Sequence, residues 1–300
     1  MNKPDMIETL KSGKILLSDG AWGTAMQAAG LRAGECPELW CIDRPDDIFN
    51  IAKSYIDAGA DMVECNSFCA NRSKLEHYGL SGHVCEINEA AARISRAAAD
   101  RCADGYKWVI GSMGPTGKML IMEEITEREM YDGYSEQAQA LEAGGADAVC
   151  IETMSDIEEA AIAIRAVRET TGLIVMCTFT FDKSVTGEYR TMFGITPADA
   201  VRAAKAAGAH ISGTNCGNGI ERMIEIVREM HSAEPDVPLL VHANAGLPQN
   251  IDGRDVFPDT PEYMAGFAAE LAAAGACIIG GCCGTTPEHI RAIGKQLAKH

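Results

Sequence analysis

The chain has few aromatic residues, few basic residues and no long apolar run. Aromatic residues make up 6% of its 300 residues, and 26 Lys and Arg are outnumbered by 43 Asp and Glu, for a formal net charge of −17. Nucleic-acid binding needs clustered basic side chains, so this composition argues against a nucleic-acid partner. No apolar stretch approaches a membrane span, and residues 1–17 lack a signal-peptide layout. We therefore expect a cytoplasmic protein without membrane or nucleic-acid partners.

The chain contains 12 cysteines, but at 300 residues it is longer than a typical disulfide-rich scaffold. Disulfide-dense domains are usually much shorter secreted chains. A hydrophobic content of 47% is enough to bury a sizeable core without such cross-links. We therefore expect reduced thiols, most of which behave as small hydrophobic side chains.

Short apolar runs alternate with Ala-rich segments of helical period. A strand–helix unit repeated eight times in this length predicts a single (β/α)8 TIM barrel, an α/β fold, over residues 1–300. A doubly wound open sheet is the alternative, but no G-x-G-x-x-G stands at a strand–helix junction to favour it. The predicted strands are Ile15–Leu17, Met62–Val63, Trp108–Ile110, Ala148–Ile151, Ile174–Thr178, His210–Gly213, Leu239–His242 and Cys277–Ile279.

Cys216 and the pair Cys282-Cys283 follow two of the predicted strands, at the barrel end where such folds carry their chemistry. Cys282 and Cys283 are adjacent and flanked by glycines, whose backbone freedom allows a sharp turn that could bring both thiols to one metal ion. Cys216 follows another strand and would complete a trio of thiolates. Three ligands with an open position are typical of catalytic zinc, whereas structural zinc has a closed shell of four. A vicinal disulfide switch would leave Cys216 unexplained.

Carboxylates also follow several strands. Asp19, Glu64 and Glu152 stand at the ends of the first, second and fourth strands and would lie around the same mouth as the cysteines. A lone carboxylate at a strand end is often only a helix cap or a solvated group. A pair directed into one mouth is suggestive of a binding site.

Four segments carry a recognisable pattern: Asp19-Gly-Ala-Trp-Gly-Thr24, Ala70-Asn-Arg-Ser-Lys-Leu75, Gly111-Ser-Met-Gly-Pro-Thr-Gly-Lys118 and Gly281-Cys-Cys-Gly-Thr-Thr-Pro-Glu-His-Ile290. They resemble a known family, the homocysteine S-methyltransferases, and most closely the homocysteine-binding module of cobalamin-dependent methionine synthase. The resemblance extends from about Ile15 to Ile293. Branches that use S-methylmethionine or betaine share the cysteines but match less well around Asn71 and Pro115.

The resemblance implies a role for each matching residue. Asp19 and Glu152 would hold the amino group of homocysteine, and backbone amides around Gly20 and Ala21 would receive its carboxylate. Asn244 would lie near the metal and occupy its fourth position while substrate is absent. The zinc site itself would carry catalysis, with no separate general base. The implied zinc ligands are Cys216, Cys282 and Cys283.

The implied activity is zinc-dependent methylation of homocysteine to methionine. Zinc coordination deprotonates a thiol that is mostly neutral at pH 7. Because the chain has no Asp-x-His-x-x-Gly corrinoid motif, we expect the methyl group from a separate corrinoid protein or from methylcobalamin. The alternatives are an enzyme that uses S-methylmethionine or another onium donor, and a non-catalytic zinc-binding barrel subunit. Cys65 departs from the threonine that relatives often carry, and it would line the pocket or be a neutral replacement.

Overall fold

Eight parallel strands form one sheet that curls into a nearly closed barrel. The computed structural model describes residues 3–251 and 254–299. The strand order around the sheet is β1-β8-β7-β6-β5-β4-β3-β2. Between β1 and β2, the Asp61 amide donates to the Leu17 carbonyl at 2.7 Å. In chain order the strands β1 to β8 are Leu16–Leu17, Met62–Glu64, Trp108–Met113, Ala148–Met154, Ile174–Phe179, Ile211–Gly219, Leu239–Asn244 and Ala276–Gly281.

A long helix follows each strand and packs outside the barrel, so the (β/α)8 prediction is confirmed. Thr196 and Thr260 cap two of these helices by accepting hydrogen bonds from the Asp199 and Tyr263 amides, and proline holds the first helical position in both. In chain order the helices α1 to α8 are Pro45–Asp57, Val84–Asp100, Glu127–Ala143, Ile157–Thr170, Pro197–Ala207, Ile220–Ala233, Pro261–Ala273 and Pro287–Leu297.

The apolar core has two main parts. Alternate strand residues point to opposite faces, so each strand supplies side chains both to the barrel interior and to the helices outside. One buried cluster takes residues from all eight strands, among them Leu16, Met62, Met176 and Ile278, and includes Met6 of the N-terminal helix Met6–Lys11. The larger cluster joins the strands to the helices. Because the interior is packed with side chains, the predicted site must lie at the mouth formed by the C-terminal ends of the strands.

The sixth strand differs from its predicted extent. The sequence predicts an end at Gly213, whereas β6 continues to Gly219, with a break in its pairing with β7 between Asn215 and Gly219. Across this break β6 advances four residues while β7 advances two, and a local irregularity of this kind leaves no period that the sequence could display. Within residues 3–251 and 254–299, we find no helix with both the length and the apolar character needed to cross a bilayer.

Candidate metal centre and substrate pocket

The glycines around Cys282 and Cys283 allow a tight turn directly after β8. A Cβ atom on Gly281 would lie 2.3 Å from Thr285 Oγ1. Gly284 has φ +80°, and a Cβ there would lie 2.2 Å from Phe257 Cγ. The turn is held against β7, because the Cys282 amide donates to the Ala243 carbonyl at 2.8 Å. Only glycine fits these positions, so this backbone path brings the adjacent thiols together.

Cys216 reaches the same point from the break in β6. Its φ of +59° is unusual for a residue with a side chain, and strained backbone of this kind is concentrated at functional sites. Cys216 Sγ lies 3.9 Å from Cys283 Sγ, which lies 4.0 Å from Cys282 Sγ. Tetrahedral zinc with bonds of about 2.3 Å places its sulfur ligands about 3.8 Å apart. The three thiols therefore fit a zinc ion.

Asn244 lies beside the sulfur cluster. Hydrogen bonds from Cys282 and Cys283, with a further one from Asn244, lower the pKa of the Cys216 thiol to about 3. Cys282 and Cys283 keep their protons, since the hydrogen bond to Cys216 raises the pKa of both thiols, that of Cys283 to about 12. The Asn244 Oδ1 atom is buried and has no hydrogen-bond partner in the described part of the chain. Asn244 therefore contacts the cluster through Cys216 and has a buried oxygen that no protein group satisfies.

A pocket of about 330 Å³ opens beside the sulfur cluster. Apolar side chains from the loops after β1 and β2 form one wall, and the cluster forms another. The predicted residues Gly20, Ala21 and Glu152 line it, as does Cys65, which is 2% exposed. The apolar wall includes Trp22, Met26, Pro37 and Phe68.

Asp19 is placed behind the pocket rather than in it. The side chain is completely buried, and Oδ2 accepts hydrogen bonds from Trp22 Nε1 at 2.9 Å and from the Glu64 amide at 2.8 Å. Burial raises the pKa of Asp19 to about 6. The Ala21 amide is also engaged, because it donates to Thr285 Oγ1 at 3.1 Å. Asp19 therefore holds together the segments that form the pocket.

Glu152 lies at the pocket with two protein donors. Ser112 Oγ donates to its Oε1, and Asn215 Nδ2 donates to its Oε2 at 3.0 Å. Burial raises the pKa of Glu152 to about 7, and the hydrogen bond from Ser112 opposes that shift. Burial therefore favours the neutral form of this carboxyl group, and a cationic ligand would favour its charged form.

Two further polar residues line the pocket: Glu64, which the sequence placed at the mouth without assigning it a role, and His242, which the sequence did not single out. Glu64 is 8% exposed and His242 is 3% exposed. Burial raises the pKa of Glu64 well above its ordinary value and lowers the pKa of His242 to about 4. Glu64 stands at a strand end, and His242 precedes Asn244 by two residues in a strand. Alternate strand residues share a face, so this spacing was the available signal.

Two methionine synthases are similar in sequence to nearly the whole chain. The chain is 33% identical to methionine synthase of Mycobacterium leprae and 32% identical to that of Mycobacterium tuberculosis, in each case over 98% of the chain. It spans about a quarter of the length of these relatives, since the matches cover 25% of each.

Solved structures share the fold. The metallated form of the homocysteine methyltransferase MmuM from Escherichia coli superposes with a TM-score of 0.79 at 22% identity, covering 97% of this chain and 100% of that one. Its oxidized form gives a TM-score of 0.78 at 23% identity, over 98% of this chain and 100% of that one. The family model described as homocysteine S-methyltransferase matches residues 16–297, and the chain therefore belongs to the homocysteine S-methyltransferase family.

Proposed function

We infer that this protein methylates the thiol of homocysteine to give methionine, with zinc held by Cys216, Cys282 and Cys283. The observation that carries the inference is the cluster of three sulfurs, at the spacing of tetrahedral zinc ligands, beside a pocket with an apolar wall. Membership of the homocysteine S-methyltransferase family and similarity to methionine synthases support the reaction type.

Different residues would bind the two ends of the substrate, the sulfur end and the amino-acid end. Zinc, when bound, would lower the pKa of a coordinated substrate thiol. The apolar wall around Trp22 and Phe68 would exclude water from the sulfur end. Glu152 would hold the amino group, and backbone around Gly20 would receive the carboxylate. The substrate thiol would lose its proton to solvent, its sulfur lone pair would form the new bond to the methyl carbon, and the electrons of the broken bond would stay with the methyl carrier.

The methyl donor in this proposal is methylcobalamin or a separate corrinoid protein. The resemblance of the segments around Asn71 and Pro115 to the methionine synthase module supports that choice over a small onium donor. An assay with homocysteine as acceptor would compare methylcobalamin with S-methylmethionine. We expect methionine with methylcobalamin, whereas turnover only with S-methylmethionine would overturn the choice of donor.

The zinc ligands are tested by a matched pair of variants. Cys283→Ala removes a proposed ligand, and Cys277→Ala removes a half-buried thiol on β8, the strand that leads to the cluster. We expect Cys283→Ala to lose both zinc and activity, and Cys277→Ala to keep both. Zinc content by metal analysis and methionine formation would be measured on the same samples. A zinc-free Cys283→Ala protein that remains active would contradict the proposal.

A further inference from the structure

Two residues that line the pocket have left-handed backbone without being glycine. Thr153 has φ +60° and Cys216 has φ +59°. For a β-branched residue such as threonine this conformation is a genuine exception. It costs free energy and persists only where the surrounding structure over-determines it. The groups that hold Thr153 and Cys216 in place therefore shape the site.

Both residues lie where a strand leaves regular pairing. In β4 the pairing with β5 shifts around Thr153, and in β6 the pairing with β7 shifts around Cys216. The strand β5 separates β4 from β6 and pairs regularly with β6 as far as Thr214. The two irregular segments therefore lie on either side of one regular strand.

The side chain of Asn215 reaches from β6 past β5 to β4 and joins the two irregular segments. It is completely buried, and its Oδ1 accepts hydrogen bonds from the Thr153 amide and from Thr178 Oγ1, both at 2.8 Å. Its Nδ2 donates to Thr153 Oγ1 at 2.8 Å and to Glu152 Oε2 at 3.0 Å. An asparagine side chain has two donor hydrogens and two acceptor lone pairs, so all four of its hydrogen-bonding positions are used.

These four hydrogen bonds fix the residue that directly precedes Cys216. The Asn215 side chain cannot change its rotamer without leaving several buried polar groups unpartnered, and each such group is costly. The direction in which the chain leaves β6 is therefore set at Asn215. That direction matters to the sulfur cluster, because Cys216 Sγ must stay close to its present 3.9 Å from Cys283 Sγ for the two to bind one ion.

We propose that Asn215 is a positioning residue for the metal centre, which presents Cys216 to zinc by fixing the left-handed backbone of Thr153 and Cys216. The identity of the metal and of its ligands rests on the proposed function. Groups that orient a metal ligand without touching the metal typically change metal affinity by about 10- to 100-fold. Because the same side chain holds Glu152, Asn215 also ties the carboxylate of the pocket to the frame of the metal ligand.

The test is the zinc affinity of Asn215→Ala, measured by competition with a chelator. We expect the zinc dissociation constant to rise by about 10- to 100-fold. Cobalt(II) bound in place of zinc should show a changed visible absorption spectrum, because that spectrum depends on the geometry of the ligands.

Asn88→Ala is the matched control. Asn88 is also completely buried, lies outside the pocket and donates hydrogen bonds to the Ala70 and Val84 carbonyls. We expect this variant to be less stable than the wild type, as any loss of a buried asparagine would make it. Its zinc dissociation constant should stay within about twofold of the wild type, with the same cobalt spectrum, because the two sites are independent.

A double-mutant cycle separates positioning from a general loss of stability. Thr178→Val keeps the shape of the side chain and removes the hydroxyl group that donates to Asn215. Alone, it should raise the zinc dissociation constant by about 2- to 10-fold, the range for one neutral hydrogen bond. In the Asn215→Ala background it should change that constant by less than about twofold, because its partner is already absent.

Several outcomes would overturn the positioning role: wild-type zinc affinity in Asn215→Ala, an equal loss of affinity in Asn88→Ala, or additive effects in the cycle. If Asn215→Ala fails to fold, Thr178→Val carries the test, and wild-type zinc affinity in that variant would overturn the role. A wild-type protein that binds no zinc, or a Cys283→Ala variant that keeps it, would instead overturn the proposed function and the positioning role with it.

Discussion

At the scale of single residues, the site depends on groups held in unfavourable states. Cys216 adopts φ +59° without being glycine, which costs about 1–2 kcal/mol. Asp19, Glu64 and Glu152 are carboxyl groups buried close to one another, and burial raises the pKa of each. Unfavourable states of this kind are typical of functional sites, where a ligand rather than the protein completes the interactions.

The raised pKa of the buried Glu152 predicts that the free energy of unfolding depends on pH. Its pKa is raised from 4.5 to about 7, so the folded state binds this proton more tightly than the unfolded state. The resulting stability is fully present below pH 4.5 and is lost as the pH rises through 7. The shift corresponds to about 3 kcal/mol. In metal-free protein without ligand, we expect the free energy of unfolding to fall by about that much more in wild type than in Glu152→Gln across this range. Urea unfolding at several pH values would measure it, and parallel pH profiles would contradict it.

At the scale of elements, the pairing of β6 with β7 determines where the sulfur of Cys216 lies. Gly213 of β6 is opposite Leu240 of β7, and a Cβ atom on Gly213 would lie 1.9 Å from the Leu240 carbonyl oxygen. The regular pairing ends at Asn215, whose side chain donates to both Glu152 and Thr153. The close approach at Gly213 and the hydrogen bonds of Asn215 together fix the start of the break that contains Cys216.

Gly213→Ala tests this pairing. The added methyl group would collide with backbone that cannot move without separating the strands, so we expect the free energy of unfolding to fall by about 3 kcal/mol, the upper end of the usual range for overpacking, and zinc binding to weaken. Gly266→Ala is the control, because Gly266 lies inside α7 with no atom near its Cβ position. That change should stabilise the protein by about 0.5–1 kcal/mol. A Gly213→Ala protein as stable as wild type, measured by urea unfolding, would contradict the assigned pairing.

At the scale of the whole molecule, the cysteine cluster connects distant parts of the chain. Cys216 and Cys283 are 67 residues apart, and they join β6 to the turn after β8. The barrel is closed between β1 and β2 by few hydrogen bonds, one of them from the Asp61 amide to the Leu17 carbonyl. A ligand that binds only the folded chain stabilises all of it by mass action.

Zinc should therefore raise the melting temperature. At a free zinc concentration about 100-fold above the dissociation constant, the stabilisation is about 2.7 kcal/mol, and we expect a rise of about 5 °C or more. Chelation should reverse the rise in wild type and in Cys277→Ala, and should have no effect on Cys283→Ala. Scanning calorimetry would measure it. An equal rise in Cys283→Ala would show that zinc stabilises the protein elsewhere.

The fold and part of the candidate site could be predicted from the sequence alone. The alternation of apolar runs with helical segments predicted the barrel, because hydrophobic period is local. The glycines around Cys282 and Cys283 predicted the turn after β8, because the backbone freedom of glycine is also a local property. A resemblance of whole segments to one family supplied the roles assigned to Asp19, Glu152 and Asn244, which stay predictions.

Only the tertiary structure decided which of the strand-end groups meet. It placed Asp19 behind the pocket, bonded to Trp22 and Glu64, and it brought His242 next to Glu64, 178 residues away in the chain. It also put Cys216 in a left-handed conformation that no local pattern predicts. Whether a polar atom has a partner depends on the register of several strands at once, and that register is set by packing across the barrel rather than by neighbours in sequence.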